Sequence, residues 1–372
     1  MSIKDYKISF CIVCRNRLHQ LKETLLQNIV DNSDYPNLEI LLFDYNSSDG
    51  LGIWIKENFR KYIGNGLLQY FHTSEPSAFH FAHSKNVIFK MAVGDIICNL
   101  NADHFTGAGF ATFVNSQFNL NNDFFLSGMD FKNKFSRFKT PSDLAGKICI
   151  KREDFYTTEG YDERMGTYGF DDEDFVNRLM MAKKRSILIN NSEFSKFIRH
   201  DDSERFSFEK SSDKYLSIIC RPISPSESSM ILMEKSGELS IGTIINTGTL
   251  QSSDYKRAFK NNKIKEPFHL KEDWIIGSWK VNNNNITILI NNGGTMQLKF
   301  NKRHKFYTAS DGIYYLLKNA NTLNVIAHFR FFSTNYFHMK NNLARRIINP
   351  NNGCFGRSTV FKNFTDFPIV IR

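Results

Sequence analysis

The 372-residue chain has no run of about 18 or more consecutive apolar residues, which argues against a membrane-spanning helix. A strand-like segment, Ile8-Ser9-Phe10-Cys11-Ile12-Val13-Cys14, follows Met1 within a few residues and leaves no room for a secretory leader, so a cytoplasmic protein is expected. Cysteine is sparse: the six are Cys11, Cys14, Cys98, Cys149, Cys220 and Cys354, widely spread and mostly in apolar surroundings. Cys11 and Cys14 form a C-x-x-C, but it lies on a strand with no second pair nearby, so reduced core thiols are expected rather than zinc or a disulfide framework. No glycine-rich phosphate loop follows the first strand; Cys14-Arg15-Asn16-Arg17 stands there instead. Acidic residues are in deficit, 38 Asp and Glu against 48 Lys and Arg, for a net charge of +10. That balance suits a nucleotide diphosphate, an acidic polysaccharide or a phospholipid surface. It does not identify a nucleic-acid reader, because bases such as Lys183-Lys184-Arg185 are too scattered to line a groove.

The N-terminal half alternates strand and helix patterns. After the first strand, Leu18, Leu21, Leu25 and Ile29 lie on one face of a helix. A second apolar strand, Leu38 to Phe43, ends in Asp44-Tyr45-Asn46-Ser47-Ser48-Asp49-Gly50; a helix-like stretch from Gly52 to Tyr62 and a short strand from Leu67 to Phe71 follow. This order predicts an α/β fold with a mostly parallel sheet and right-handed crossovers. Gly94 to His104 reads as a buried strand with a polar tip, Asn101-Ala102-Asp103-His104. Ligands of open α/β sheets bind at the carboxyl ends of strands. A divalent cation there would bridge Asp103 to a diphosphate, whereas the tripeptide alone fits an Asx turn equally well.

Taken in order, these motifs resemble nucleotide-sugar-dependent glycosyltransferases of the GT-A fold, family 2 type, over roughly Lys7 to Asp201. Ile12-Val13-Cys14-Arg15-Asn16-Arg17 is similar to the family's first-strand Pro-Thr-Tyr-Asn-Arg, with Val13, Cys14 and Arg15 as departures, and Asp44 to Gly50 resembles its Asp-x-x-Ser-x-Asp-Gly turn. The resemblance places Cys14, Arg15, Arg17, Asp44 and Asp49 at the nucleotide, with Asp44 on a uracil ring. Phe81-Ala82-His83-Ser84-Lys85-Asn86 falls where the family has an Ala-Arg-Asn helix start facing the diphosphate, so Lys85 or His83 would meet phosphate charge. Asn101-Ala102-Asp103 stands in for Asp-x-Asp. Asp103 and Asn101 are then the Mn²⁺ or Mg²⁺ ligands, with weaker affinity expected from the neutral Asn101. The resemblance also implies that His200 completes the metal site, and His104 reads as a polar loop residue.

Four consecutive acids, Asp171-Asp172-Glu173-Asp174, open a helix-like segment. By itself this is a common helix amino end. Yet Tyr168 to Leu179 resembles the Trp-Gly-Gly-Glu-Asp-Asp-Asp-Leu-x-x-Arg-Leu segment of β-galactosyltransferases and chondroitin-polymerase-like enzymes, and Gly160-Tyr161-Asp162-Glu163 the Gly-Phe-Asp-Glu element before it. In that register Asp171 holds acceptor hydroxyls and Asp172 is the general base of an inverting transfer. Phe170 takes the place of the motif's second glycine.

Beyond the resemblance, Ser207 to Ser229 reads as a connector with a helical middle at Lys214 to Cys220. From Met230 the pattern turns to short β-like runs: Leu239–Ile245, Trp274–Val281, Ile286–Ile290, Thr295–Phe300, Gly312–Leu317, Leu323–Phe332 and Ser358–Phe361, with hairpin signals at Asn282–Asn285 and Asn291–Gly294. A catalytic domain over 1–229 and a β-rich accessory domain over 230–372 are expected. Trp274, Trp279, Tyr314, Tyr315 and Tyr336 are candidates for glycan stacking, although strand aromatics are more often core.

The whole implies a transferase using a UDP-sugar and Mn²⁺ or Mg²⁺. It would act on a glycan or lipid-linked oligosaccharide in bacterial surface polysaccharide synthesis, with peripheral association at the inner face of the membrane. The alternatives are a catalytically silent GT-A-like glycan-binding or scaffold protein, which the Asn101 and Phe170 departures favour, and a sugar-nucleotide pyrophosphorylase, which the missing glycine-rich loop disfavours.

Overall fold

The computed structural model describes residues 3–76, 78–130, 144–166, 168–199, 214–224, 227–246, 268–270, 274–282, 285–291, 293–317 and 320–372. Two compact units emerge: Met1–Asp201 with Thr334–Arg372, and Asp202–Ser333.

The first unit is built on strands β1 (Ile8–Cys14), β2 (Leu38–Tyr45), β3 (Leu68–Thr73), β4 (Ile96–Asn101), β5 (Phe124–Ser127), β6 (Ile148–Lys151) and β7 (Arg185–Leu188), joined late in the chain by β17 (Ser358–Lys362) and β18 (Pro368–Ile371). Their order is β18-β17-β3-β2-β1-β4-β6-β5-β7. The centre, β3-β2-β1-β4, is parallel, while β6 and β17 run antiparallel to their neighbours β4 and β3. Every residue of β2 is buried, as a strand covered on both faces requires. On one face Ile8, Phe10, Ile12 and Leu42 pack under α1 (Leu18–Asp31), α2 (Leu51–Asn58) and α5 (Phe110–Leu120). On the other, Cys11, Leu41 and Phe43 meet α4 (Phe81–Met91) and α7 (Asp171–Met181). The parallel register sets Cys14 beside Asp44 and Val13 beside Asn101, so the polar tips of β1, β2 and β4 share one edge.

The second unit is an antiparallel barrel. Strands β8 (Tyr215–Pro222), β9 (Glu227–Glu234), β10 (Glu238–Asn246), β11 (Phe268–Leu270), β12 (Ile275–Asn282), β13 (Asn285–Ile290), β14 (Thr295–Asn301), β15 (Phe306–Ala309) and β16 (Gly312–Leu316) form one sheet. It closes because β9 pairs with both β8 and β10. Closure pairs the edge of β9 that would otherwise be open to another chain, while the short β11 stays paired to β10 alone among the described strands. Ile219, Ile231, Ile288, Leu298 and Tyr314 fill a fully buried core there.

Three expectations for the C-terminal half are corrected. Lys214 to Cys220, expected to be helical, lies almost entirely in β8. Leu323 to Phe332, expected as a strand, belongs to helix α8 (Ala320–Arg345); its apolar Leu323, Ile326, Ala327 and Phe331 fall at helical spacing and pack on the barrel core. The contacts do not divide the chain at 229/230. β8 already belongs to the barrel, while residues 334–372 fold back onto the first unit, where Phe355 and Val360 enter its core. Tyr336 therefore sits on α8 in the first unit and not on a barrel strand. Of the barrel aromatics, Tyr314 is core, and Trp274 and Trp279 pack partly buried against apolar clusters.

Candidate active site

At the tip of β2, Asp44 is buried and rigidly held: Oδ2 accepts from the Tyr70 hydroxyl at 2.7 Å and Oδ1 from the Ser47 amide at 2.8 Å. Each oxygen keeps a second lone pair, so the carboxylate can still accept from an imide N–H. Burial, with the Asp44 charge second, raises the Tyr70 phenol well above its ordinary value, so it remains a donor. Cys14 is buried with its thiol pushed up by burial, which keeps it neutral. Arg15 donates to the Tyr45 and Pro76 carbonyls at 3.2 Å each. Arg17 is the residue preceding α1, and the Asp49 carboxylate accepts from the Leu18 amide at 2.8 Å. Asp49 thus caps the amino end of α1 from a distant loop.

The metal-motif loop is held by a polar stripe on α1. Thr24 Oγ1 donates to the Ala102 carbonyl at 2.7 Å, Asn28 Nδ2 to the His104 carbonyl at 2.9 Å, and Asn32, just past the helix, donates to Thr106 Oγ1 at 2.8 Å. Spacing of four residues places all three on one helical face. His104, expected to be a polar loop side chain, is instead fully buried. Its Nδ1 accepts from the Asn101 amide, and its Nε2 lies 3.8 Å from Asp103 Oδ1. The Ile198 amide donates to the Asp103 carbonyl at 2.9 Å, which brings the chain beside the motif two residues before His200. His200 itself lies outside the described residues. Among the described residues there is no group of three or more His, Cys, Asp or Glu able to hold a metal.

On the opposite face of the sheet, the acids of α7 are separated by their partners. Lys85 Nζ donates to Asp171 Oδ2 and to Asp172 Oδ1, each at 2.7 Å, and lies 4.7 Å above the Tyr161 ring. Burial works to lower the Lys85 pKa, but the two carboxylates outweigh it and raise it, so the ammonium stays charged. Asp172 is raised above the usual carboxylate range, first by burial and then by Asp171, against the opposing pull of Lys85. Its side chain is 18% exposed and that of Asp171 only 6%, so Asp172 is the one that can meet a solute. Asp174 turns the other way, to Arg178 Nε at 2.7 Å and Asn342 Nδ2 at 2.9 Å.

Residues 9–179 match the description Glycosyl transferase family 2. The match covers less than half of the chain; over it the segment is similar to family 2 glycosyltransferases, and its mostly parallel sheet with helices on both faces has the GT-A arrangement. Solved structures similar to the chain include the mannosyltransferase PcManGT from Pyrobaculum calidifontis in complex with GDP-Man and Mn²⁺, at 19% identity and TM-score 0.43 over 56% of this chain and 61% of that one. S. aureus TarS 1-349 in complex with UDP matches at 12% identity and TM-score 0.43 over 55% and 63%. The chain thus covers less than two thirds of either solved chain. Comparison with curated proteins finds no match.

Within the matched segment, the structure brings Cys14, Asp44 and Asn101 to one sheet edge and joins Lys85 to Asp171 and Asp172. Phosphate contact was expected of Lys85 or His83; Lys85 serves the acids, and His83 bonds Tyr45 Oη and the Arg357 carbonyl, both at 2.8 Å. Three supports went unread in the sequence. Lys147 is fully buried, donates to the Phe105 carbonyl at 2.7 Å, and is brought down to about 8 by burial. Asn342 on α8 ties Asp162 to Asp174 at 2.8 and 2.9 Å. Asn363 pairs with the Tyr70 backbone and so steadies the partner of Asp44. None of the three carried a local signal, whereas the i+4 spacing of Thr24, Asn28 and Asn32 on α1 could have been found in advance.

Proposed function

We propose that the chain transfers a hexosyl or N-acetylhexosaminyl group from a UDP-sugar to a hydroxyl of a glycan or lipid-linked oligosaccharide, with inversion at the anomeric carbon. The observation that carries this reading is the Lys85-Asp171-Asp172 cluster. Asp172 combines partial exposure with a raised proton affinity, and a general base needs both access to the acceptor and the capacity to hold its proton. The acceptor O–H proton passes to Asp172 as the acceptor oxygen bonds the anomeric carbon and the bond to the diphosphate breaks. Asp171, deeper and fixed by Lys85, orients the acceptor hydroxyls.

Asp44 accepts the uracil imide N–H. Cys14, Arg15, Arg17, Asp49 and Ala102 frame the nucleotide through backbone and loop geometry. The oxygen donors Asp103 and Asn101 fit a hard cation, Mn²⁺ or Mg²⁺, with His200 as a third ligand. Such an ion, when bound, neutralises charge on the departing diphosphate. A role in bacterial surface polysaccharide assembly at the inner face of the membrane accords with the net charge of +10. No helix among the described residues is long and apolar enough to cross a membrane.

The test is thermal unfolding with a panel of UDP-sugars, with and without Mn²⁺, on the wild type and Asp103→Ala. A donor at a hundred times its Kd stabilises by about 2.7 kcal/mol. We expect Mn²⁺-dependent stabilisation that Asp103→Ala abolishes. Equal binding with and without Mn²⁺ would refute the metal assignment, and binding of no UDP-sugar would leave a silent scaffold.

A further inference from the structure

We infer that one end of the barrel, where the β9–β10 turn, the close of β12 and the β14–β15 turn meet, is a docking surface for an anionic lipid bilayer. This assigns a surface to the membrane association proposed above and rests on that reading. Strand register brings the three together: Glu238 lies beside Ser278, the Trp279 amide donates to the Gly237 carbonyl at 3.0 Å, and Asn285 lies beside Lys299. Lys235, Lys280, Lys299, Lys302, Arg303 and Lys305 are all exposed there, and among the described residues none of the six makes an ion pair or a side-chain hydrogen bond. Of the described acids at this end, Glu234 is buried and paired with Lys214 at 2.8 Å, which leaves Glu238 to offset six cations. At the opposite end the charge is compensated, with Arg221 paired to Asp311 at 3.0 Å.

Apolar side chains accompany these bases. Val281 follows Trp279 on the inward face of β12 and pairs with the core residue Ile286, yet it is itself 59% exposed. Phe300 is half-buried, with its ring 4.9 Å from that of Tyr307. The basic turn is fixed in shape: Asn301 Oδ1 accepts from the Arg303 and His304 amides at 3.1 Å each, and Lys305 holds φ at 56°. Six like charges with little to offset them repel one another, and a surface of opposite sign relieves that repulsion. A single polyanion strand is held along a groove. Bases set around apolar side chains on projecting turns instead match a bilayer, with phosphates for the charges and acyl chains for Val281.

The experiment is co-sedimentation of the whole chain with vesicles of phosphatidylcholine, alone and mixed equally with phosphatidylglycerol. The proteins are the wild type, Val281→Ser, and a triple variant carrying Lys302→Gln, Arg303→Gln and Lys305→Asn. Tm and UDP binding are measured in parallel. The wild type should bind only the anionic vesicles, and added salt should weaken it. Each base near such a surface strengthens binding about fivefold, so the triple variant should bind about a hundredfold more weakly, and Val281→Ser about fivefold. Tm and UDP affinity should be unchanged, because every substituted side chain is exposed. A wild type that ignores anionic vesicles overturns both the surface and the membrane association it rests on. Equal binding by the triple variant overturns the surface and leaves the association. If soluble hyaluronan displaces the vesicles and Val281→Ser has no effect, the partner is a polyanion and the bilayer assignment fails. Vesicle binding through these bases in a protein that binds no UDP keeps the surface and removes the transferase reading.

Discussion

Replacing Lys85 with methionine keeps the length of the side chain and removes the ammonium from between two carboxylates. In the native protein both hydrogen bonds are 2.7 Å long, with side-chain exposures of 8% for Lys85, 6% for Asp171 and 18% for Asp172. Deleting one partner of a buried ion pair costs about 3–5 kcal/mol, because the remaining charge is stranded. Partial hydration of Asp172 places the expected loss near the lower end, about 3 kcal/mol at pH 7. The pH dependence sharpens the test. Without Lys85 the downward pull on the Asp172 pKa is gone, while burial and Asp171 still raise it. A carboxyl whose folded pKa lies above its unfolded value favours the native state as pH falls. The Lys85→Met penalty should therefore shrink between pH 7 and pH 5, and it should also shrink when Asp172→Asn is added. Urea unfolding followed by circular dichroism at both pH values measures each term. A penalty below about 0.5 kcal/mol, or one that adds independently to that of Asp172→Asn, would refute the charge-compensation account.

Gly160 has φ +62°, and a Cβ there would strike Asn86 Oδ1 and the Phe155 ring; Gly160→Ala should destabilise by about 2–5 kcal/mol in urea unfolding, and a loss under 1 kcal/mol would contradict that packing. His80 caps α4, its Nδ1 accepting from the His83 amide at 3.1 Å, and its pKa is lowered by burial and then by the His83 charge. The unfolded chain therefore binds more protons than the native state below about pH 6.5, so this cap's stability is full above that value and declines as pH falls toward the folded pKa. His80→Asn keeps a capping acceptor without titration, so its Tm should fall less between pH 7 and 5.5 than that of the wild type. Identical slopes would show that His80 does not titrate in this window.

Much of the first unit was legible because its signals are local. Apolar runs ending in Cys14, Asp44 and Asn101 set the parallel strands and their shared edge, and the acidic start of α7 was visible from Asp171 to Asp174. What escaped depends on distant pairing. Ser358–Phe361 reads locally as a β-like run, but nothing near it announces that it pairs with β3, some 290 residues away, nor that Asn342 will satisfy Asp162 and Asp174. Lys85 was read toward phosphate because its partners on α7 are 86 and 87 residues further along the chain. Leu323 to Phe332 was misread because an apolar, aromatic-rich run suits either period until its packing partner is known.

The most direct test of the central claim is the turnover of Asp172→Asn with the UDP-sugar and acceptor that the wild type uses. The substitution preserves size and removes the base, so turnover should fall by about 10²–10⁴ while donor affinity stays unchanged. Turnover near that of the wild type would contradict the assignment of Asp172 as the general base.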